Sequence, residues 1–411
     1  MINIIFLFFT TTLILFQRYR EGRWLNLISL LMTPYVLIVF LNNFYFYKFG
    51  FYKISDNVLL MLLWAFAAFF IGTLPIKYKV VQHTENKNIA MLQKYDIRKI
   101  RWFLYFVGIV GILKAFLLYR QGIFLNEMAD DSEGIMGNGI VAHMLLATYS
   151  VLPIYFLNWT YNKTIKDLIP VILILIVAFS SLIKYNVIGP IVTLFIFVSL
   201  YRSTLLKTAS IVMISLVIIL FVANYALGFA ISDSEVDPFF YLVHFWKYFS
   251  GSVIYDNYIF TTGIRVDTSI FYKLMTFVFT LPNMFLNKLF DERLFPHVGQ
   301  DLRDVSNFGE QSNVVDAIGY LYPSKGDVSD IITFFIVVAL TGLLFSYLYK
   351  ICLERSVSFN TFIANFLTYF VFFSFFSQYA TLTNPWEIVI WALIIPHLFY
   401  KVKRSSHSFL T

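Results

Sequence analysis

The stretch that decides the fold is residues 230–330, which begins with Ser232-Asp233-Ser234-Glu235-Val236-Asp237 and ends with Lys325-Gly326-Asp327-Val328-Ser329-Asp330. It holds seven of the 31 Lys and Arg residues of the chain and 13 of the 24 Asp and Glu residues. Long apolar runs precede and follow it. Because charge is costly inside a bilayer, this pattern predicts one large hydrophilic segment held at a membrane surface by transmembrane helices.

The composition of the 411-residue chain indicates a polytopic membrane protein. It is 59% hydrophobic and 20% aromatic, and 13% of its residues are charged, whereas soluble domains carry about 25% charged residues. The single cysteine, Cys352, excludes an internal disulfide framework and a cysteine-based metal site.

The apolar runs predict an all-α fold with about eleven transmembrane helices (range 10–13), since a helix needs about 20 apolar residues to span the bilayer. The predicted spans are 2–16, 25–41, 58–76, 102–119, 139–159, 168–183, 187–200, 208–229, 331–350, 361–381 and 386–400. The predicted domains are a transmembrane bundle over 1–229, an outer loop over 230–330, and C-terminal helices with a short cytoplasmic tail over 331–411.

Charge placement predicts the orientation. With the N-terminus outside, the inner segments hold 19 Lys and Arg residues against five acidic residues, as the positive-inside rule requires. The inner segments are 17–24, 77–101, 160–167, 201–207, 350–360 and 401–411. The 230–330 loop then faces outward, away from ATP and nucleotide-sugars.

Two apolar stretches interrupt this loop, at 239–260 and 270–286. Both are rich in aromatic residues and broken by charges, a pattern typical of amphipathic helices at the membrane interface. Alternatively, both could cross the membrane as a pair and leave the topology unchanged. The cost of burying Lys247 or Lys273 favours the interfacial or re-entrant arrangement.

Common catalytic motifs are absent from the sequence. It contains no Walker-type loop, no HExxH and no GxSxG, and its six histidines do not have metal-ligand spacing. We therefore predict no metal, no cofactor and no nucleic-acid partner. The run Asp233–Asp237 fits either a divalent-cation site or a solvated loop, and a solvated loop is the more common case.

The remaining candidates are cations of the outer side. Arg303 and Arg265 are flanked by aspartates, and the arginine fork suits bidentate contact with phosphate oxygens. Lys247 and Lys184 could assist at headgroup depth. Alternatively, these cations are solvated or paired with acidic residues of the loop. His297 follows Pro296 in the polar stretch and is a candidate general base, since imidazole needs the smallest pKa shift for that role.

Three local patterns accompany this architecture. Ser312–Tyr322, followed by Gly326, is similar to an Asn-Val-(Tyr-Thr)-…-Gly segment, with Val315-Asp316 in place of Tyr-Thr. Arg303 and Gly319 are separated by 15 residues, as in an Arg-x15-Gly motif. Ser180–Lys184 precedes Gly189-Pro190, as in a Ser-x-Lys outer turn. The chain thereby resembles the bacterial oligosaccharide repeat-unit polymerases (Wzy-type) of O-antigen and capsule assembly.

The resemblance implies glycosyl transfer at the outer face of the bacterial inner (plasma) membrane. A sugar hydroxyl of one lipid-linked repeat unit attacks the anomeric carbon of the growing glycan, and undecaprenyl diphosphate leaves. Fixed cations stabilise the charge that develops on the diphosphate. The implied site has the following members: His297 and Arg303 as catalytic residues, with Arg265, Lys247, Lys184, Asn313 and Gly319 binding substrate.

The implied partners are undecaprenyl-diphosphate-linked oligosaccharide, membrane lipids, a chain-length regulator and a flippase. Two alternatives stay open. An O-antigen ligase-like transferase would differ chiefly in its acceptor. A flippase for the same lipid-linked oligosaccharide is a non-enzymatic alternative, although such transporters are often built from two related halves, and no internal repeat is visible in the sequence.

Overall fold

The fold is helical, as the sequence predicts. The structure, a computed structural model, describes residues 1–77, 85–121, 139–180, 184–231, 238–261, 269–296, 301–323, 327–354 and 357–401. Its α-helices are α1 Ile2–Glu21, α2 Leu27–Phe44, α3 Asp56–Thr73, α4 Glu85–Leu92, α5 Ile97–Arg120, α6 Ile140–Thr148, α7 Leu152–Asn162, α8 Ile169–Ser180, α9 Lys184–Tyr201, α10 Leu206–Ile231, α11 Pro238–Tyr255, α12 Asn257–Thr261, α13 Ile270–Phe290, α14 Ala317–Leu321, α15 Val328–Glu354, α16 Val357–Phe366 and α17 Thr383–Leu398. A π-turn and two 3-10 turns over 367–381 connect α16 to α17. The two strands are β1 Arg303–Asp304 and β2 Gln311–Ser312.

Six helices of the described residues are long and apolar enough to cross a membrane. The helical membrane class is thereby confirmed. The six are Ile2–Glu21, Leu27–Phe44, Asp56–Thr73, Ile97–Arg120, Ser203–Ala223 and Val328–Ile351. The predicted span 139–159 is two helices, α6 and α7, bent by 44°. Pro153 lies in the first turn of α7, a position that suits its missing N–H.

The other predicted spans also contain helices, but these are short. The 12-residue α8 and the 16-residue α17 are below the length of about 20 residues that a straight span needs. The total of about eleven spans therefore stays a prediction. The loop stretches 239–260 and 270–286 contain α11 and α13, whose depth in the membrane also stays a prediction.

The helices pack as two compact units. The first comprises Met1–Val81, Phe221–Glu354 and Phe366–Glu387, and the second comprises Gln82–Leu220, Arg355–Asn365 and Ile388–Thr411. The predicted domain boundaries at residues 229 and 330 divide the chain into consecutive ranges, whereas the two units are defined by packing. The predicted domains stay a prediction.

In the first unit, α3 and α15 run parallel in close contact. The Trp64 and Phe335 rings are tilted by 57° with their centroids 6.4 Å apart, and Gly72, farther along α3, lies against Ala339. A Cβ at Gly72 would lie 1.9 Å from the Ala339 carbonyl oxygen, and a Cβ at Gly342 would lie 2.3 Å from the Phe69 carbonyl oxygen. Two glycines therefore permit this backbone approach, as small residues do between transmembrane helices.

The C-terminal end of α3 is capped by an arginine from α1. Arg20 donates hydrogen bonds from its Nη2 to the carbonyl oxygens of Thr73 (3.1 Å), Leu74 (3.3 Å) and Ile76. The last carbonyls of a helix have no partner within the helix, and a cation also complements the negative end of the helix dipole. This contact joins two segments that the sequence places on the inner side.

In the second unit, polar contacts join the segments 77–101, 160–167 and 201–207. Arg101 forms an ion pair with Asp167 at 2.5 Å. Asn88 donates to the Tyr201 carbonyl at 2.9 Å, and Arg202 donates to the Thr160 carbonyl at 2.8 Å. All three segments are predicted to lie on the inner side.

The close approach of α3 and α15 makes Gly342 intolerant of a side chain. We expect Gly342→Ala to lower the free energy of unfolding by about 1–3 kcal/mol, because the backbones must separate. The matched control is Gly251→Ala in α11, where the nearest atom to a Cβ is 3.5 Å away. That variant should be neutral or stabilised, because alanine favours a helix. Thermal unfolding in detergent measures both, and equal effects would contradict this packing.

Candidate functional site

The polar segment contains a small β-hairpin. β1 and β2 pair antiparallel with Arg303 opposite Ser312. The Val305 N–H donates to the Glu310 carbonyl at 2.8 Å, and the turn contains Gly309 at φ +88°, a conformation that glycine adopts at no steric cost. The hairpin fixes the positions of Arg303 and Glu310.

The hairpin is bound to the loop between α2 and α3. The Tyr52 N–H donates to the Val305 carbonyl at 2.9 Å, and the Asn307 N–H donates to the Gly50 carbonyl at 2.9 Å. Gly50 has φ +101°, and a Cβ at this position would lie 2.8 Å from the Phe308 ring. Backbone hydrogen bonds therefore tie the polar segment to the end of two membrane-spanning helices.

The hairpin is also bound to α11. Lys247 Nζ lies 2.7 Å from Glu310 Oε2, and His244 Nδ1 lies 4.0 Å from Glu310 Oε1. The interactions with His244 and then Lys247 outweigh partial burial and lower the pKa of Glu310 to about 2. Lys247 is thus paired with a carboxylate, as one of the two alternatives expects. Its proposed role as a substrate contact stays a prediction.

Arg303 is flanked by aromatic groups. Its Cζ lies 5.6 Å from the ring centroid of Tyr258, within the range of a cation–π interaction. The guanidinium also lies beside the Tyr255 hydroxyl. Both tyrosine hydroxyls are held by the chain around Arg303: Tyr255 donates to the Asp301 carbonyl at 3.0 Å, and Tyr258 donates to the Asp304 carbonyl at 2.8 Å.

Arg303 keeps unused capacity to donate hydrogen bonds. Its Nε is buried and has no hydrogen-bond partner among the described residues. The Asp304 carboxylate, which the sequence suggested as a support for the guanidinium, accepts instead from Gln311 Nε2 at 2.9 Å. Within the described ranges, no carboxylate forms an ion pair with Arg303. Such a guanidinium can accommodate an anion.

Gly319 lies in the interior, against two buried carboxyl groups. Its N–H donates to Asp316 Oδ1 at 2.6 Å, and a Cβ at Gly319 would lie 2.4 Å from Asp256 Oδ1. Asp256 and Asp316 are both fully buried, and burial raises the pKa of each carboxyl. Gly319 therefore provides space for Asp256. A direct contact of Gly319 with substrate stays a prediction.

The remaining predicted residues are dispersed. Asn313 is exposed after β2, and Lys184 begins α9, where its side chain is not described. Arg265, His297 and the acidic run 233–237 lie outside the described residues. The structure therefore brings Arg303 and Gly319 to one region and gives no position for the predicted base.

Sequence reasoning missed two interior groups of this region. Lys273 of α13 is 1% exposed and donates to the Tyr322 carbonyl at 2.8 Å. Asp256 directly follows α11 and contacts Asp316. The sequence feature that could have identified both residues is a charge within an aromatic-rich apolar stretch. Such a charged residue must find a partner when it is buried.

The described residues contain no group of three or more His, Cys, Asp or Glu side chains that could hold a metal ion. No family model, curated protein or solved structure matches this chain.

The ion pair between Lys247 and Glu310 should stabilise the docked hairpin. We expect Glu310→Gln and Lys247→Met each to lower the free energy of unfolding by about 1–3 kcal/mol, because the partner is left unpaired in a partly buried position. In a double-mutant cycle the two effects should be non-additive.

The coupling should also depend on pH. The pKa of Glu310 falls from 4.5 to about 2 on folding, so the stabilisation is present above pH 4.5 and is lost as the pH falls towards 2. Chemical denaturation at pH 7 and at pH 3 measures this. The control is Arg293→Met, an exposed cation of the same segment. Additive effects at pH 7 would contradict the ion pair.

Proposed function

We propose that the chain polymerises undecaprenyl-diphosphate-linked oligosaccharide repeat units on the outer face of the bacterial inner membrane. The observation that carries the proposal is Arg303: a guanidinium flanked by Tyr255 and Tyr258, with a buried Nε that lacks a partner in the described part of the chain. A diphosphate supplies the planar anionic oxygens that such a group binds best.

The contacts of Arg303 and Gly319 support the resemblance on which the proposal rests. Arg303 lies beside Tyr255, and Gly319 contacts Asp256, the next residue along the chain. The two positions of the Arg-x15-Gly pattern therefore meet consecutive residues at the end of α11. The arginine and the glycine of this sequence pattern thus lie in the same region of the fold.

The contacts of the hairpin also favour an outward-facing site. The hairpin hydrogen-bonds to the loop between α2 and α3, which the charge pattern places outside. Arg20 near the C-terminal end of α1 contacts the C-terminal end of α3. The charge pattern predicts that both of these helix ends lie at the inner side. A reaction on the outer face has no access to nucleotide-sugars. The proposed donor is therefore a sugar linked to a lipid diphosphate, and the lipid diphosphate is the leaving group.

In the proposed reaction, a sugar hydroxyl of the incoming repeat unit attacks the anomeric carbon of the lipid-linked glycan. The new glycosidic bond forms as the bond to undecaprenyl diphosphate breaks, and the hydroxyl proton passes to a base, for which His297 is the candidate. Arg303 would stabilise the negative charge that grows on the leaving diphosphate, so its effect is larger in the transition state than in the ground state.

Removal of Arg303 should therefore abolish polymerisation. In a deletion strain complemented with Arg303→Ala, we expect surface glycan of single repeats and a polymerisation rate lowered by about 10²–10³-fold. Arg303→Lys should restore little, because the ammonium lacks the bidentate fork. The length distribution of surface polysaccharide, resolved on a gel, measures this.

The matched control is Arg293→Ala, an exposed arginine of the same segment, which should give wild-type chain lengths. Long chains in the Arg303→Ala strain would contradict the assignment of Arg303. In the deletion strain, lipid-linked repeats trapped on the inner leaflet would instead indicate a flippase. Full-length polymer that stays on its lipid carrier would indicate a ligase.

A further inference from the structure

Asp256 and Asp316 form a pair, here called the neck pair, at the two ends of the polar segment. Asp256 directly follows α11 and Asp316 directly precedes α14, so the pair joins the two ends of residues 257–315, which include the hairpin. The two carboxyl groups contact each other, and both residues are 0% exposed. The side chains at this neck are therefore withdrawn from solvent in the folded chain.

The hydrogen bonds of the neck pair are incomplete if both groups are ionised. In the described part of the chain, neither oxygen of Asp256 nor Asp316 Oδ2 accepts a hydrogen bond of good geometry, although the Asp316 N–H lies near the Asp256 carboxyl and the Tyr35 hydroxyl lies near the Asp316 carboxyl. Asp316 Oδ1 accepts from the Gly319 N–H. Two adjacent buried carboxylates would repel each other and leave acceptors unsatisfied. One proton removes the repulsion and reduces the number of unsatisfied acceptors, since a carboxylic acid at Asp256 can donate to Asp316.

Among the residues that the structure describes, no positive charge is paired with these carboxyl groups in place of the proton. Within the described ranges, no Lys, Arg or His forms an ion pair with either carboxyl. The titratable groups that face the pair are Tyr35 from α2 and Tyr255 from α11, and Arg303 lies beside the Tyr255 hydroxyl. The polar neighbours are therefore neutral hydroxyl groups.

We propose that the neck pair holds one shared proton and acts as a pH-sensitive latch, which keeps the hairpin segment docked on α11 and on the loop between α2 and α3, and loosens it when that proton is lost. Opening exposes the pair, and the Asp256 carboxyl then releases its proton to water. The latch does not depend on the proposed glycosyl transfer.

The direction of the pH effect follows from burial. Burial raises the pKa of Asp256 in the closed form, so the protonated pair stabilises the docked segment at low pH. This stabilisation is lost as the pH rises from the ordinary carboxyl pKa to the raised one. Over that window the opening equilibrium should increase by about tenfold per pH unit.

Hydrogen exchange of the hairpin peptide 303–312 in the full-length protein, in nanodiscs from pH 5 to 9, tests the latch. At each pH the wild type is compared with Asp256→Asn, which replaces the shared proton by an amide N–H donor. The ratio of the two exchange rates removes the intrinsic effect of pH. We expect a ratio near unity at pH 5 that rises by up to about tenfold per pH unit above it.

Two further variants complete the test. Asp316→Asn keeps an N-cap residue for α14 and should weaken the pH dependence, because an amide N–H can donate to an ionised Asp256 while that carboxyl stays buried. Asp304→Asn, an exposed position on the same hairpin, should behave as the wild type. A ratio that stays constant with pH would overturn the proposal. Rapid exchange of Asp256→Asn at every pH, together with slowing of the wild type by added Ca²⁺, would also overturn it, because a bound cation would then replace the proton.

Discussion

The attachment of the hairpin depends on a pair of backbone hydrogen bonds to the loop between α2 and α3. Edge groups of a two-residue strand have no partner within the hairpin itself, and unpaired backbone groups are costly near a membrane. The loop supplies those partners, and Gly50 permits the approach because a larger residue would collide with Phe308. The side chains of the hairpin are consequently held at fixed places beside the membrane-spanning helices.

This attachment gives the cations of the hairpin region different roles. Lys247 neutralises Glu310 and joins the hairpin to α11, whereas Arg303 lies between tyrosines with a donor to spare. A structural ion pair and a candidate anion site therefore lie on one hairpin. The neck pair of Asp256 and Asp316 closes the same segment from within, so the presentation of Arg303 and the protonation of the neck are linked through the docked hairpin.

The sequence was sufficient to predict the helical membrane class, because long apolar runs have few other stable structures. The aromatic stretches of the loop also predicted α11 and α13. The hairpin could not be predicted, since strands as short as Arg303–Asp304 and Gln311–Ser312 carry no periodic signal and depend on distant partners. The contact of Asp256 with Asp316 could not be predicted either, because the two residues are 60 positions apart and their pairing depends on how the intervening segment folds.

The central claim is that the hairpin lies outside the membrane, opposite the basic segments. Labelling of single cysteines with a membrane-impermeant maleimide in right-side-out spheroplasts tests this most directly, in a Cys352→Ser background. Asn313→Cys and Lys99→Cys both replace exposed residues. The account predicts that Asn313→Cys is labelled in intact spheroplasts and that Lys99→Cys is labelled only after permeabilisation. Labelling in the reverse pattern would contradict it.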